Sequence, residues 1–426
     1  MTIPLFWPGT AGAPVVIPNT PTLEILIGRS GWLLGVPGKS ELGVTTQLGI
    51  ASYDNVASRA VRVATRRGSD HELIRIEAGV ATVDLMNQDG ALTPMNTASV
   101  LYPDVRPMIP FIIRATFFAV TYYLFSGFVE SWPATWDGAY RQGMDLVRGH
   151  AVDAMKVLRI AEVTLDRGQE LSGARINAVL DAIGWPSALR AIDQGQSQVQ
   201  AVTLEDANVL QHIQDVAASE SGQFFIAADG TATFFDRYHI TLQDEGDVWG
   251  DDTGEKRYAS LTASFDDQTI YNQVTVTAPD LADQRASDTA SISLFSGPAN
   301  EAPRPLPIST LLTTEAEMLE RAAHLVTKYA FPEQRITSLT QDNANLDPTQ
   351  WPRALNKDLH DRIVARKTPA GDPIEQPSFI EGIAWEIEGG RWRLTWALSS
   401  TTLQQGQWQL GVPGRSELGV TTSLVG

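Results

Sequence analysis

The sequence predicts a mixed, β-rich α+β chain, with one β-barrel or sandwich domain on either side of a small α+β domain. Three observations lead there. Strand-like runs broken by turn residues fill residues 22–149 and return after residue 245, while the apolar spacing between them becomes helical. A seventeen-residue module also occurs near each end: WLLGVPGKSELGVTTQL at 32–48 and WQLGVPGRSELGVTTSL at 408–424. Fourteen of the seventeen positions are identical, and the 376-residue offset is far too long for a tandem array, which repeats every 20 to 50 residues or so.

Composition narrows the function classes. At 426 residues and 43% hydrophobic content, the chain is long enough for roughly two to four domains with cores of their own. A formal charge of −18 argues against binding a phosphate backbone, which needs clustered Lys and Arg. With no cysteine there are no disulfides, thiolate nucleophiles or Cys-ligated zinc. The N-terminal MTIPLFWPGTAGAPVVIP lacks a basic start and an unbroken apolar core, so no secretory signal is expected. PFIIRATFFAVTYYLFSGF at 110–128 is too short and carries Arg114; its Ile, Thr, Val, Phe and Tyr content predicts adjacent buried strands, not a membrane span.

The elements follow in order. LEILIG, RAVRVATRR, ELIRIEAGVATVDLMN, PFIIRATFF, TYYLFSGFVESW and GMDLVRG read as strands of the first β domain, residues 23–149, after an extended segment at 1–22. NQDGALTPMNTAS at 87–99 strings together turn formers; it lacks the calcium-loop spacing, and an Asx turn accounts for it. In residues 150–244, SGARINAVLDAIGWP opens on the cap Ser172 and places Ile176, Val179, Leu180 and Ile183 on one helical face. TLEDANVLQHIQDVAASESG is a second helix, and GQFFIAADGTATFFDR a hairpin turning on Asp229 and Gly230. In residues 245–400, YNQVTVTAP and ASISLFSG read as strands, TTEAEMLERAAHLVTKYA as the one helix, with a capping box from Thr314 to Glu317. RITSLTQ, DRIVARK and a hairpin through Gly389 and Gly390 complete this domain, and residues 401–426 carry the second module.

Catalytic signatures are missing. PGKS at 37–40 resembles the end of a phosphate loop, but Leu33 stands where its first glycine belongs. The six histidines have no i,i+4 pair, and no G-x-S-x-G elbow occurs. Asp266 with Asp267 and Glu386 with Glu388 read as solvated charge, and Trp132, Trp136, Trp385, Trp392 and Trp396 as strand core and edge; a carbohydrate platform is the sharper alternative for the tryptophans.

DLMNQDGALTPMNTASVLYPDVRPMIPFIIRA, LFSGFVESWPATWD, LSGARINAVLDAIGWPSALRAIDQGQSQV and ASESGQFFIAADGTATFFDR, in this order, resemble the minor tail proteins of siphophages, the tail-tip or baseplate hub family. The resemblance implies two β-barrel-like hub domains joined by the small α+β domain, and a homotrimer between the distal tail protein ring and a central fibre or downstream tail-tip proteins, in contact with the tape measure protein. It implies a structural protein of the virion tail tip, assembled in the host cytoplasm, that adapts sixfold to threefold symmetry and lines the DNA exit channel. No cofactor, specific nucleic-acid binding or membrane-spanning segment is expected. Larger relatives append a peptidase or lysin domain; this chain ends soon after its last barrel strands, so no such activity is expected. The module residues Trp32, Leu34, Val36, Pro37, Leu42, Trp408, Leu410, Val412, Pro413 and Leu418 are the candidate interface, either touching another chain or capping their own barrels. The alternative function is a tail protein that binds or hydrolyses cell-wall glycan.

Overall fold

The computed structural model describes residues 20–29, 52–135, 145–241, 246–295, 302–343, 348–368 and 374–401. Both seventeen-residue modules, with all ten candidate interface residues, lie outside them, as does Trp136.

The first region contributes β1 (Thr22–Gly28), β2 (Tyr53–Asn55), β3 (Ala60–Gly68), β4 (Glu77–Met86), β5 (Pro110–Phe117), β6 (Val120–Ser131), the two-residue β7 (Ala134–Thr135) and β8 (Leu146–Val152). Period-two alternation decides which face is buried. In β5, Phe111, Ile113, Ala115 and Phe117 point inward, while Arg114 on the other face pairs with Glu24 of β1 at 2.7 Å. The greasy run at 110–128 is therefore two paired strands, as its composition predicts. They turn at Phe118 and Ala119, whose φ values of 49° and 61° are those of a mirror-image turn usually given to glycine or asparagine. Only residues from Glu77 onward in ELIRIEAGVATVDLMN are strand. After β4, Asn87 organises the predicted reversal: its side-chain oxygen accepts from the Leu92 N–H at 2.7 Å and its amide donates to Thr93 Oγ1 at 2.9 Å.

The second region holds α1 (Met155–Ile160), β9 (Glu162–Arg167), β10 (Glu170–Leu171), α2 (Ser172–Ala182), β11 (Arg190–Ile192), β12 (Gln198–Val199), β13 (Val202–Asn208), α3 (Val209–Glu220), β14 (Gln223–Ile226), β15 (Ala232–Phe235) and α4 (Arg237–Thr241). Helix α2 buries Ile176, Val179 and Leu180, the predicted face. The second predicted helix is shorter than its sequence pattern. Residues 202–208 pair with β9, and the helix begins where Asn208 Oδ1 accepts from the Gln211 N–H at 2.9 Å, a cap inside the apolar run. The hairpin forms, with a three-residue turn in place of the expected two: the Ala227 N–H donates to the Thr231 carbonyl at 2.9 Å and Gly230 takes φ +97°. The short α1 was not anticipated; its first turn is held by Asp153, which accepts from the Met155 N–H at 2.9 Å.

The third region comprises β16 (Asp247–Trp249), β17 (Ser260–Ser264), β18 (Gln273–Thr277), β19 (Gln284–Ser287), α5 (Thr289–Phe295), β20 (Pro305–Ser309), α6 (Glu315–Tyr329), β21 (Arg335–Asp342), α7 (Trp351–Leu355), β22 (Arg362–Lys367), β23 (Ile374–Glu388) and β24 (Arg391–Ser400). ASISLFSG corrects the strand expectation: it lies largely in α5. The Asp288 carboxylate accepts from the Ser291 N–H at 2.8 Å, and the Ser291 hydroxyl donates to the Ala330 carbonyl, so local capping overrides β-propensity. The region holds three described helices where the sequence predicted one. Strands β18, β19 and β20 with α6 form a unit of their own, whose core is Val274, Val276, Leu312, Met318, Ala322, Val326 and Ala330.

Fourteen strands share one sheet, in the order β17, β21, β24, β23, β3, β4, β8, β6, β5, β1, β2, with β22 pairing β23, β16 pairing β22, and β7 pairing β8. The first and third regions are thus stitched together by β3 and β23, antiparallel from Gly68 opposite Gly382 to Arg62 opposite Glu388. One apolar core runs through all three regions. The tryptophans sit in it: Trp249 meets Trp396 edge to face at 5.2 Å, and Trp392 contacts Trp351 and Trp385 at about the same spacing. Trp132 is also buried. Rings enclosed this way have no face left for a sugar, which assigns these six tryptophans to the core; Trp185 is half-buried.

Candidate functional site

The described residues on either side of the candidate interface modules are held by backbone hydrogen bonds. The Arg29 N–H donates to the Ser52 carbonyl at 2.7 Å, and Gly28 pairs with Tyr53, so segment 30–51 springs from a closed neck between β1 and β2. Segment 402–426 leaves the end of β24, where the Thr401 N–H donates to the Pro377 carbonyl at 2.9 Å. Six strands separate β24 from β1 in the sheet order. The first neck stands at one free edge of the sheet, β2.

Among the described strands, the other end of this order is β17. Its sequence, SLTAS, has no charge and no proline, the two devices that ordinarily guard an edge, and Ser260, Thr262 and Ala263 are exposed. Phe265, directly after it, is 68% exposed. By contrast the small sheet's outer strand β20 carries Pro305 and Pro307. In the parallel pairing with β18, alternate residues face away from the partner, and proline there removes the N–H a further strand would need.

Between the large sheet, the α3–β14 layer and the α6 unit lies a cleft of about 360 Å³. Its polar floor is built by backbone irregularity. The β23–β24 register shifts between Ile380 and Gly382, leaving Glu381 as the extra residue of a bulge, and the Ser69 N–H donates to its carbonyl at 2.9 Å. Gly68, at φ +86°, permits this approach; a Cβ there would stand 2.1 Å from the Glu381 carbonyl oxygen. The Glu381 side chain, 3% exposed, accepts from the Ser399 hydroxyl on one oxygen; the other has no hydrogen-bond partner and lies 3.8 Å from His360 Nδ1. Glu72, from the β3–β4 connection, takes both the Lys328 ammonium and the Tyr329 hydroxyl of α6. Burial, followed by the charge of Glu72, pushes the Glu381 carboxyl up to about 7. Burial also raises Glu72, but the Lys328 charge and hydrogen bonds outweigh it and hold that group below the usual carboxylate range. His360, enclosed beside Phe225, is driven down to about 4 by burial.

A second buried carboxylate locks the same layers. Glu220, at the end of α3, accepts from Ser172 Oγ at 2.9 Å, the Gln196 N–H at 2.9 Å, the Ser197 N–H at 2.6 Å and Arg237 Nε at 3.0 Å. Arg237 reaches on to Glu317 of α6 at 3.0 Å, drawing that residue out of the reciprocal capping role the sequence assigns it. Thr314 still caps the helix by accepting from the Glu317 N–H at 3.4 Å. Neither cluster was legible beforehand, because each joins residues from distant segments and only the bulge aims Glu381 inward. The suspected carboxylate pairs stay on the surface: Asp267 pairs with Arg304 at 2.7 Å, and Glu386 lies 3.8 Å from Arg62. Among the described residues no group of three or more His, Asp or Glu is placed to hold a metal ion, and no helix is long and apolar enough to cross a membrane.

The chain is similar over 89% of its length to the prophage MuSo2 43 kDa tail protein from Shewanella oneidensis, covering 99% of that chain with a TM-score of 0.55 at 10% identity. The fold is that of a phage tail protein. The tail protein from Neisseria meningitidis MC58 gives the same result, with a TM-score of 0.53 at 11% identity over 89% of this chain and 96% of the other. No family model matches the chain, and no curated protein matches it in sequence. The tail-protein fold bears out the resemblance drawn from the sequence, and at this identity it speaks for the fold alone.

Proposed function

We propose that the chain is the tail-tip, or baseplate, hub of a siphophage and acts structurally, without catalysis. Three copies associate, each offering two β-barrel-like halves, residues 23–149 and 245–400, with residues 150–244 between them. Six near-equivalent surfaces then meet the sixfold distal tail ring, while the trimer presents threefold symmetry to the central fibre or downstream tip proteins. The tape measure protein ends against this hub, and the DNA leaves through its axis. Assembly takes place in the host cytoplasm, and the mature protein resides at the virion tail tip.

The observation that carries this reading is the seam between β3 and β23. Halves that are to stand side by side in a ring must abut within one subunit, and here they share one hydrogen-bonded sheet. The tail-protein fold and the unguarded edge at β17 support association, and a charge of −18 suits a conduit whose wall must not hold DNA. The duplicated modules would supply one aromatic-led contact per half, through Trp32 and Trp408.

Native mass spectrometry of the purified chain, alone and with the distal ring protein, tests the reading: a trimer that binds the ring is expected, and a monomer indifferent to it would remove the proposal. Trp408→Ala is expected to leave folding intact and weaken ring assembly. Loss of folding with assembly unchanged would assign the module to capping its own half.

A further inference from the structure

The cleft beside α6 holds two buried carboxylates and one ammonium committed to a single member of the pair. The cleft with Glu381 is lined by Glu72 and Arg75 from the β3–β4 connection, by Arg321, His324 and Tyr329 from α6, and by His360 ahead of β22; Lys328 and His71 stand beside Glu72, and Arg335 beside Tyr329. Lys328 and Tyr329 are spent on Glu72. Arg321 is turned toward the α3 carbonyls of Ala218 and Ser219, and Arg335 lies over the Tyr329 ring. Ser399 satisfies one oxygen of Glu381, and nothing satisfies the other.

We propose that this junction is a pH-sensitive latch, in which a proton on Glu381 lets the β18–β20 and α6 unit close against the sheet and loss of that proton loosens it. When Glu381 is protonated, Glu72 and Lys328 form a balanced pair beside a neutral acid. Ionisation sets a second buried negative charge next to Glu72, and water cannot reach it unless α6 shifts and the cleft opens. His360 stays neutral across this range, because its burial holds it near 4, and so lends no compensating charge. The folded value of Glu381, about 7, lies above the ordinary 4.5. The closed form therefore keeps its full advantage at and below the ordinary value and loses it as pH rises through about 7. The bulge, the committed lysine and the existing cleft make the movement available at this junction.

Hydrogen–deuterium exchange of the full chain, corrected for the intrinsic pH dependence of exchange, reads the latch directly. Between about pH 5.5 and about pH 8.5, protection of peptides from α6 is expected to fall roughly tenfold, while peptides from α2 hold steady. Glu381→Gln is expected to keep α6 protected at both values. Ser399→Ala removes a hydroxyl that favours the ionised form, so the drop should move to higher pH; this milder change carries the test alone should Glu381→Gln fail to fold. An unchanged drop in Glu381→Gln, an unmoved midpoint in Ser399→Ala, or constant α6 protection in the parent chain would each overturn the proposal.

Discussion

Glu220 shows how much one buried side chain can hold in this molecule. It is fully enclosed and accepts four hydrogen bonds, two of them from backbone N–H groups, of which that of Ser197 is itself buried. Removing one partner of such a set leaves buried donors orphaned, which costs about 3 to 5 kcal/mol. Glu220→Ala is therefore expected to lower the free energy of unfolding by about 3 kcal/mol or more, read by denaturant titration. His360 sets an opposite sensitivity to that of Glu381. Its folded value of about 4 lies below the ordinary 6.5, so stability is present above 6.5 and is lost as pH falls toward 4. A thermal-melting series across this interval should show His360→Phe losing less stability toward acid than the parent chain. Both residues occur in unremarkable sequence contexts, and their roles come entirely from enclosure.

At the scale of elements, the bulge in β23 depends on a glycine at the end of β3, nineteen strands earlier in the chain (β4 to β22 intervene) but adjacent in the sheet. Gly68→Ala combines a φ of +86° with a Cβ 2.1 Å from the Glu381 carbonyl oxygen. It should lower the melting temperature by several degrees, at a cost of at least about 1 kcal/mol from the backbone conformation alone. Where the sequence was informative, it was through periodicity and punctuation. Strand alternation in β5, the apolar face of α2, the Thr314 cap and the double-glycine turn at Gly389 and Gly390 are all local signals, and all appear in the structure. The failures have local causes too. A capping aspartate turned ASISLFSG into a helix, Asn208 cut a predicted helix short, and the Phe118–Ala119 turn carries none of the residues that usually mark one. The junction cleft could not be read at all, since its charges converge from segments on either side of the whole second region.

For the whole molecule, the outer strands of the large sheet bear on how copies can meet. The edge at β17 is unguarded, so placing a charge there should block strand addition without disturbing a core. Ala263→Lys, at an exposed position, is expected to melt like the parent chain and fail to form the trimer, as measured by sedimentation or native mass; a normal trimer would move the contact elsewhere. The seam between β3 and β23 also bears on how the protein is born. β3 leaves the ribosome about 300 residues before its partner, an interval of roughly 15 to 60 s at ordinary synthesis rates. Throughout that wait its backbone has one side unmatched, and the first region cannot complete its sheet by local pairing. Nascent chains should accordingly demand protection from chaperones until the β23–β24 hairpin arrives to complete the sheet.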